Sequence, residues 1–187
     1  MTTVAPLFID EVGMSALGQI VGNKIVVSIG RGRVKGDAVY FDKALIEYWP
    51  PDRRRRFRSN LAVPVTGAVE DVGDYSWIKF AISRPIKVYG RKVTLPNGHV
   101  WWNVPSTFDY WPTSRSVVSR VDVFEEKIRL KKKCSVATDA RIEIRFKDRR
   151  VLSMEVGALG VGFVFLSNSS RRPWRSRKSL RLRQRLN

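Results

Sequence analysis

The sequence predicts a mainly β to α+β fold: a single sheet-rich domain with one amphipathic helix, followed by a disordered basic tail. Three observations carry that expectation. Short β-branched and aromatic runs recur between Gly, Pro and Asp punctuation. One apolar stretch, Val39–Trp49, has its large residues at helical spacing. After Leu166 the composition changes abruptly to arginine. With 187 residues the chain is long enough for one domain with a core. The boundaries read from composition are 1–166 for the globular domain and 167–187 for the tail.

Lys24–Ile29 (KIVVSI) lies between Gly22 and Gly30 and reads as a buried strand. In Val39–Trp49 the positions Phe41, Ala44, Leu45, Tyr48 and Trp49 suit a helix. Asp37 or Asp42 is the candidate N-cap, and Pro50-Pro51 ends it. Leu61–Val65 reads as a short strand, and Glu70, Asp71 and Asp74 as a turn. Tyr75–Ile82 alternates like a half-buried strand. Ile86–Leu95 and Val100–Val104 flank Pro96-Asn97-Gly98 and predict a hairpin. Val117–Phe124, Lys127–Val136, Arg141–Phe146, Val151–Val156 and Val161–Leu166 complete the series. Arg141–Phe146 (RIEIRF) has the clearest alternation of charged and apolar positions.

Charge is the outlier in composition. Thirty-five Lys+Arg against 17 Asp+Glu give a net charge of +18, with a sequence pI near 10.8. A protein this basic repels itself when alone and suits an anionic partner. Arg171–Asn187 holds eight cations and no acid: Arg171, Arg172, Arg175, Arg177, Lys178, Arg181, Arg183 and Arg185. Its apolar residues are too sparse for a core, so the tail is expected to be disordered in isolation. Arginine suits bidentate phosphate contacts and stacking on bases. Trp174 within RRPWRSRK suits base stacking or a membrane interface. A solubilising tail or a nuclear-import signal is the plainer reading of the same residues. Arg53, Arg54, Arg55, Arg56 and Arg58 form a second basic cluster. They either extend the same electropositive surface or pair with nearby carboxylates. A third, Arg129–Lys133, is expected to be the polar face of a strand. The adjacent Trp101 and Trp102 are expected mainly as core.

The residues needed for catalysis are sparse. His99, the single histidine, sits in a predicted turn without a nucleophile motif around it. One His and one Cys cannot form a usual zinc site. Glu125 and Glu126 are adjacent, so on a strand they point apart. The glycines of GRGRVKG match neither a dinucleotide fingerprint nor a P-loop. The expectation is therefore no enzyme, no catalytic or metal site and no cofactor. Cys134 is the single cysteine, which excludes an intramolecular disulfide. Asp10 and Glu11 interrupt the N-terminal apolar stretch, a poor signal peptide. No apolar run reaches the ~18 residues of a membrane span. These features predict a soluble or peripheral intracellular protein, neither secreted nor transmembrane.

The order of features resembles the matrix proteins of rhabdoviruses over about residues 24–150. The residues that carry it are Val26-Val27-Ser28-Ile29, the helix ending at Trp49, Asn103-Val104-Pro105-Ser106-Thr107-Phe108, and the later strand Ala140–Phe146. The chain departs from that family in having its basic arm at the C-terminal side and in lacking PPxY, since Asp52 follows Pro50-Pro51. The resemblance implies a non-enzymatic viral structural protein that self-associates into a homo-oligomer. It would bind nucleic acid or ribonucleoprotein and an anionic membrane surface, in the host cytoplasm or nucleus and in the virion. Two other readings fit the composition: a plant-virus movement protein of the 30K superfamily, and a small jelly-roll capsid protein. The lone central Asp in an apolar stretch that characterises the 30K group is not evident in the sequence. Basic arms of capsid proteins usually precede the barrel. A closed eight-stranded sandwich would favour capsid or movement protein, whereas an open sheet with one helix packed on it would favour matrix.

Overall fold

A computed structural model describes residues 5–30, 33–35, 38–41, 43–53, 60–72, 74–88, 92–94, 100–102, 116–129, 135–156, 162–167 and 180–187. Helix α1, Glu11–Gly18, comes first. Asp10 caps it, its Oδ1 accepting from Gly13 N at 2.7 Å, and Glu11 in the first turn complements the helix dipole. A Cβ at Gly13 would lie 2.7 Å from Ile9 Cγ2 and 3.0 Å from Ile82 Cβ. The missing side chain is what lets the helix sit so close to the sheet.

The first sheet contains β1 (Lys24–Gly30), β4 (Lys43–Trp49), β5 (Asn60–Val72), β6 (Tyr75–Ile82) and β7 (Ile86–Val88). Its order is β1-β4-β5-β6, and β7 also pairs with β5. β6 and β7 lie end to end along one edge of β5, matched to residues 65–72 and 60–62. Pro64 falls at the changeover. Its carbonyl accepts from Ser83 N on that edge, so its missing N–H is where neither strand requires a donor.

The second sheet contains β2 (Arg33–Lys35), β3 (Ala38–Phe41), β10 (Val118–Arg129), β11 (Ser135–Phe146), β12 (Val151–Glu155), β13 (Gly162–Ser167) and β14 (Arg181–Leu186). Its order is β14-β10-β11-β12-β13-β3-β2. All these strand pairings are antiparallel. Strands β8 (Lys92–Thr94) and β9 (Val100–Trp102) form a separate hairpin.

One core cluster draws on both large sheets. Ile25, Val27, Ile46, Val63 and Phe80 of the first meet Val121, Val123, Ile142, Ile144 and Met154 of the second, with Leu17 of α1 and Ile20 alongside. The architecture is thus a two-sheet sandwich with α1 packed on β6. Each fully buried Ile, Leu or Met contributes about 1.5–3 kcal/mol.

The expected mainly β to α+β class with one helix is what the described residues form. Of the predicted hairpin of 86–95 with 100–104, residues 92–94 pair with 100–102, while Ile86–Val88 is a separate strand on β5. β1, β6, β12 and β13 lie where the sequence predicts. The helix does not. Residues 38–41 and 43–49 are strands. From Ala44 through Trp49 every residue is buried, and a strand covered on both faces loses the alternation that distinguishes it from a helix. One element of the matrix resemblance disappears with it. Val26–Ile29 lies in β1 and Ala140–Phe146 in β11, while residues 103–108 are outside the described residues. The predicted strand 61–65 is part of the longer β5, which takes in Glu70 and Asp71. β10 runs through Glu125-Glu126, where a gap between strands is expected, and bulges between Phe124 and Glu125.

The expected disorder of the tail does not hold at its end. Arg181–Leu186 is a strand paired with β10, so the described part of 167–187 belongs to the domain's own sheet.

Candidate polyanion interface

Strand β14 is held by two carboxylates, one on the adjacent β10 and one on β11 beyond it. Asp139 of β11 is fully buried. Arg183 grips it with Nε on Oδ1 and Nη2 on Oδ2, both at 2.6 Å. Ile9 N donates to the same Oδ2 at 2.7 Å. The guanidinium lies 4.6 Å from the ring centroid of Phe8, and its Nη2 is 3.8 Å from Met14 Sδ. Leu7 completes the arrangement, since its N–H donates to Ala137 O and its carbonyl accepts from Asp139 N. Asp139 therefore ties β14, the segment before α1 and β11 together. A bidentate, planar match of this kind is among the stronger charge-assisted interactions.

Asp122 of β10 is different. Val121 and Val123 face the core, so Asp122 points to the other side of the sheet. It is 1% exposed, yet it takes three arginines, each through Nε. Arg120 and Arg145 donate to Oδ2 at 3.1 and 3.0 Å, and Arg185 donates to Oδ1 at 2.7 Å. Arg145 also gives Nη2 to Glu143 at 2.5 Å. Glu143 in turn faces Arg141, which bonds Glu155. The result is an ion network across β14, β10, β11 and β12.

The predicted site residues divide three ways. Arg183 and Arg185 are in these two clusters. Arg181 is exposed at the start of β14, opposite Glu125, and Arg53 is exposed in the turn after β4. Arg54, Arg55, Arg56 and Arg58 lie outside the described residues, as do Arg171, Arg172, Trp174, Arg175, Arg177 and Lys178. So do His99 and Cys134. Sequence reasoning missed Asp122, Asp139, Arg120 and Arg145. A signal was present for Asp122: an acid between two apolar strand positions, Val121-Asp122-Val123, implies a buried partner.

Among the described residues two titratable groups away from these clusters, Tyr48 and Asp148, depart from their ordinary values. Burial pushes the Tyr48 hydroxyl up, and it sits 2.9 Å from Gln19 Oε1. The Arg150 hydrogen bond holds Asp148 below the usual carboxylate range. A cleft of about 530 Å³ beside α1 is lined by Glu11, Val12, Leu61 and Arg84 among others. Among the described residues no three His, Cys, Asp or Glu side chains are grouped to hold a metal ion. No helix there is long and apolar enough to cross a membrane. No family model, curated protein or solved structure matches the chain.

Proposed function

We propose that the protein is a non-enzymatic viral structural protein that binds RNA or ribonucleoprotein through its basic segments, with self-association of the sandwich domain. The observation that carries this reading is the fate of the acids. Asp122, Asp139, Glu143, Glu155, Glu70 and Asp148 each already hold a cation within the fold. The surplus of +18 therefore meets an outside polyanion. The matrix setting, in which the same segments also bind anionic lipid, rests on the sequence resemblance. The two sheets, of five and seven strands with α1 packed on the first, match neither the closed eight-stranded sandwich expected of a movement or capsid protein nor the single open sheet of matrix type.

Deleting the tail is a poor test, because it removes β14 and strips Asp139 and Asp122 of arginines. The cleaner variant changes Arg171, Arg172, Arg175, Arg177 and Lys178 to Gln and keeps residues 180–187. Binding to single-stranded RNA and to anionic liposomes is then followed across a salt series. The expected result is a shallower salt slope, by about 0.7 for each phosphate no longer neutralised. An unchanged affinity and slope for both ligands rejects this role for the segment. Lipid binding without RNA binding favours matrix, and RNA without lipid favours movement or capsid function.

A further inference from the structure

The Asp122 cluster carries more positive charge than its carboxylates answer. Arg120 and Arg145 are direct cross-strand partners in the β10–β11 register. Like charges placed opposite one another destabilise a sheet. Arg185 stands directly opposite Asp122 across the β10–β14 pair, so three guanidinium groups from three adjacent strands converge on one carboxylate. Four arginines of this face (120, 141, 145 and 185) meet three acids, Asp122, Glu143 and Glu155. Glu143 and Glu155 answer Arg141 and Arg145. The surplus falls on Arg120 and Arg185, whose only ion-pair partner among the described residues is Asp122.

Accessibility follows the same division. The Asp122 side chain is 1% exposed, while Arg120, Arg145 and Arg185 are 37%, 36% and 43% exposed. Each of the three uses Nε on the buried carboxylate. Arg120 and Arg185 thus keep terminal N–H donors for a ligand on the open face. Adjacent strands are about 4.8 Å apart, so the three side chains form a short row across the sheet edge. Asp122 holds that row in place, which lowers the ordering cost of binding.

We infer that Arg120, Arg145 and Arg185, fixed by Asp122, form a phosphate-binding row for the phosphodiester backbone of a nucleic-acid strand. The inference rests on the nucleic-acid reading above and moves part of the binding from the basic segments onto the folded sheet. Backbone recognition of this type is sequence-tolerant and salt-dependent.

The test uses the full chain and a single-stranded RNA oligonucleotide. Arg120→Ala leaves Asp122 with two arginines. It should weaken RNA binding about tenfold, as expected when one charge-assisted bond to phosphate is removed, and reduce the salt slope by about 0.7. Arg120→Lys should restore most of the slope. In the unmodified protein, RNA should shift the Nε–Hε NMR resonances of Arg120 and Arg185. That readout does not depend on a variant folding. If the protein binds RNA while Arg120→Ala keeps full affinity and slope and the resonances stay still, the row is wrong and the wider reading survives. If the protein binds no RNA at all, the wider reading fails first. Inorganic phosphate at matched phosphate concentration moving these resonances as far as RNA does would overturn the strand assignment. So would anionic vesicles moving them where RNA does not.

Discussion

Asp139 and Asp122 are two buried aspartates on adjacent strands, both bonded to arginines of β14, yet they are built to different ends. Asp139 meets one guanidinium in a bidentate match, with a backbone N–H on the same carboxylate and an aromatic ring over the arginine. Its charge is answered one for one in a closed site. Asp122 is shared by three half-exposed guanidinium groups, two of them forced opposite each other by strand register. The first arrangement fastens the fold. The second keeps cationic donors in position at the surface.

The largest expected effect comes from breaking the closed pair. Arg183→Ala leaves a fully buried carboxylate without its cation and should cost about 3–5 kcal/mol in urea unfolding. Arg185→Ala should cost about 1 kcal/mol, because Asp122 retains two arginines. Arg120→Ala should change stability by less than about 0.5 kcal/mol, since removing a cation from a crowded site also relieves repulsion. A destabilisation there comparable to that of Arg183→Ala would erase the distinction. The smallest effect belongs to a third kind of pair, Asp148 with Arg150 in the turn between β11 and β12, where the carboxylate is 42% exposed. The Arg150 hydrogen bond lowers the folded-state pKa of Asp148. Its contribution is present above the unfolded carboxylate value and is lost as pH falls through the folded one. Asp148→Asn should remove only that small acid-side increment, measured as unfolding free energy against pH.

The sequence displayed the strands that are punctuated and alternating, such as Tyr75–Ile82 and Arg141–Phe146. It hid β4, because burial on both faces leaves Ala44–Trp49 apolar at every position but Glu47, without the alternation of a half-buried strand. It hid α1 because the segment is short and its Asp10–Glu11 pair reads first as an interruption of a signal peptide. β14 was hidden for a non-local reason. RLRQRL lacks β-branched residues and is strongly basic, so local propensity argues against a strand. Its order depends on Asp139 and Asp122, which are supplied from far away in the chain. The basic character of the interface was legible from composition. The convergence of Arg120, Arg145 and Arg185 was not, since it follows from register across three strands.

The distinction between the two aspartates is tested most directly by measuring two quantities on two variants: unfolding free energy and RNA affinity for Arg183→Ala and Arg120→Ala. Arg183→Ala is expected to lose stability while its folded fraction binds RNA with nearly unchanged affinity. Arg120→Ala should keep its stability and bind RNA more weakly. A destabilised Arg120→Ala with RNA affinity intact would contradict the division of roles between Asp139 and Asp122.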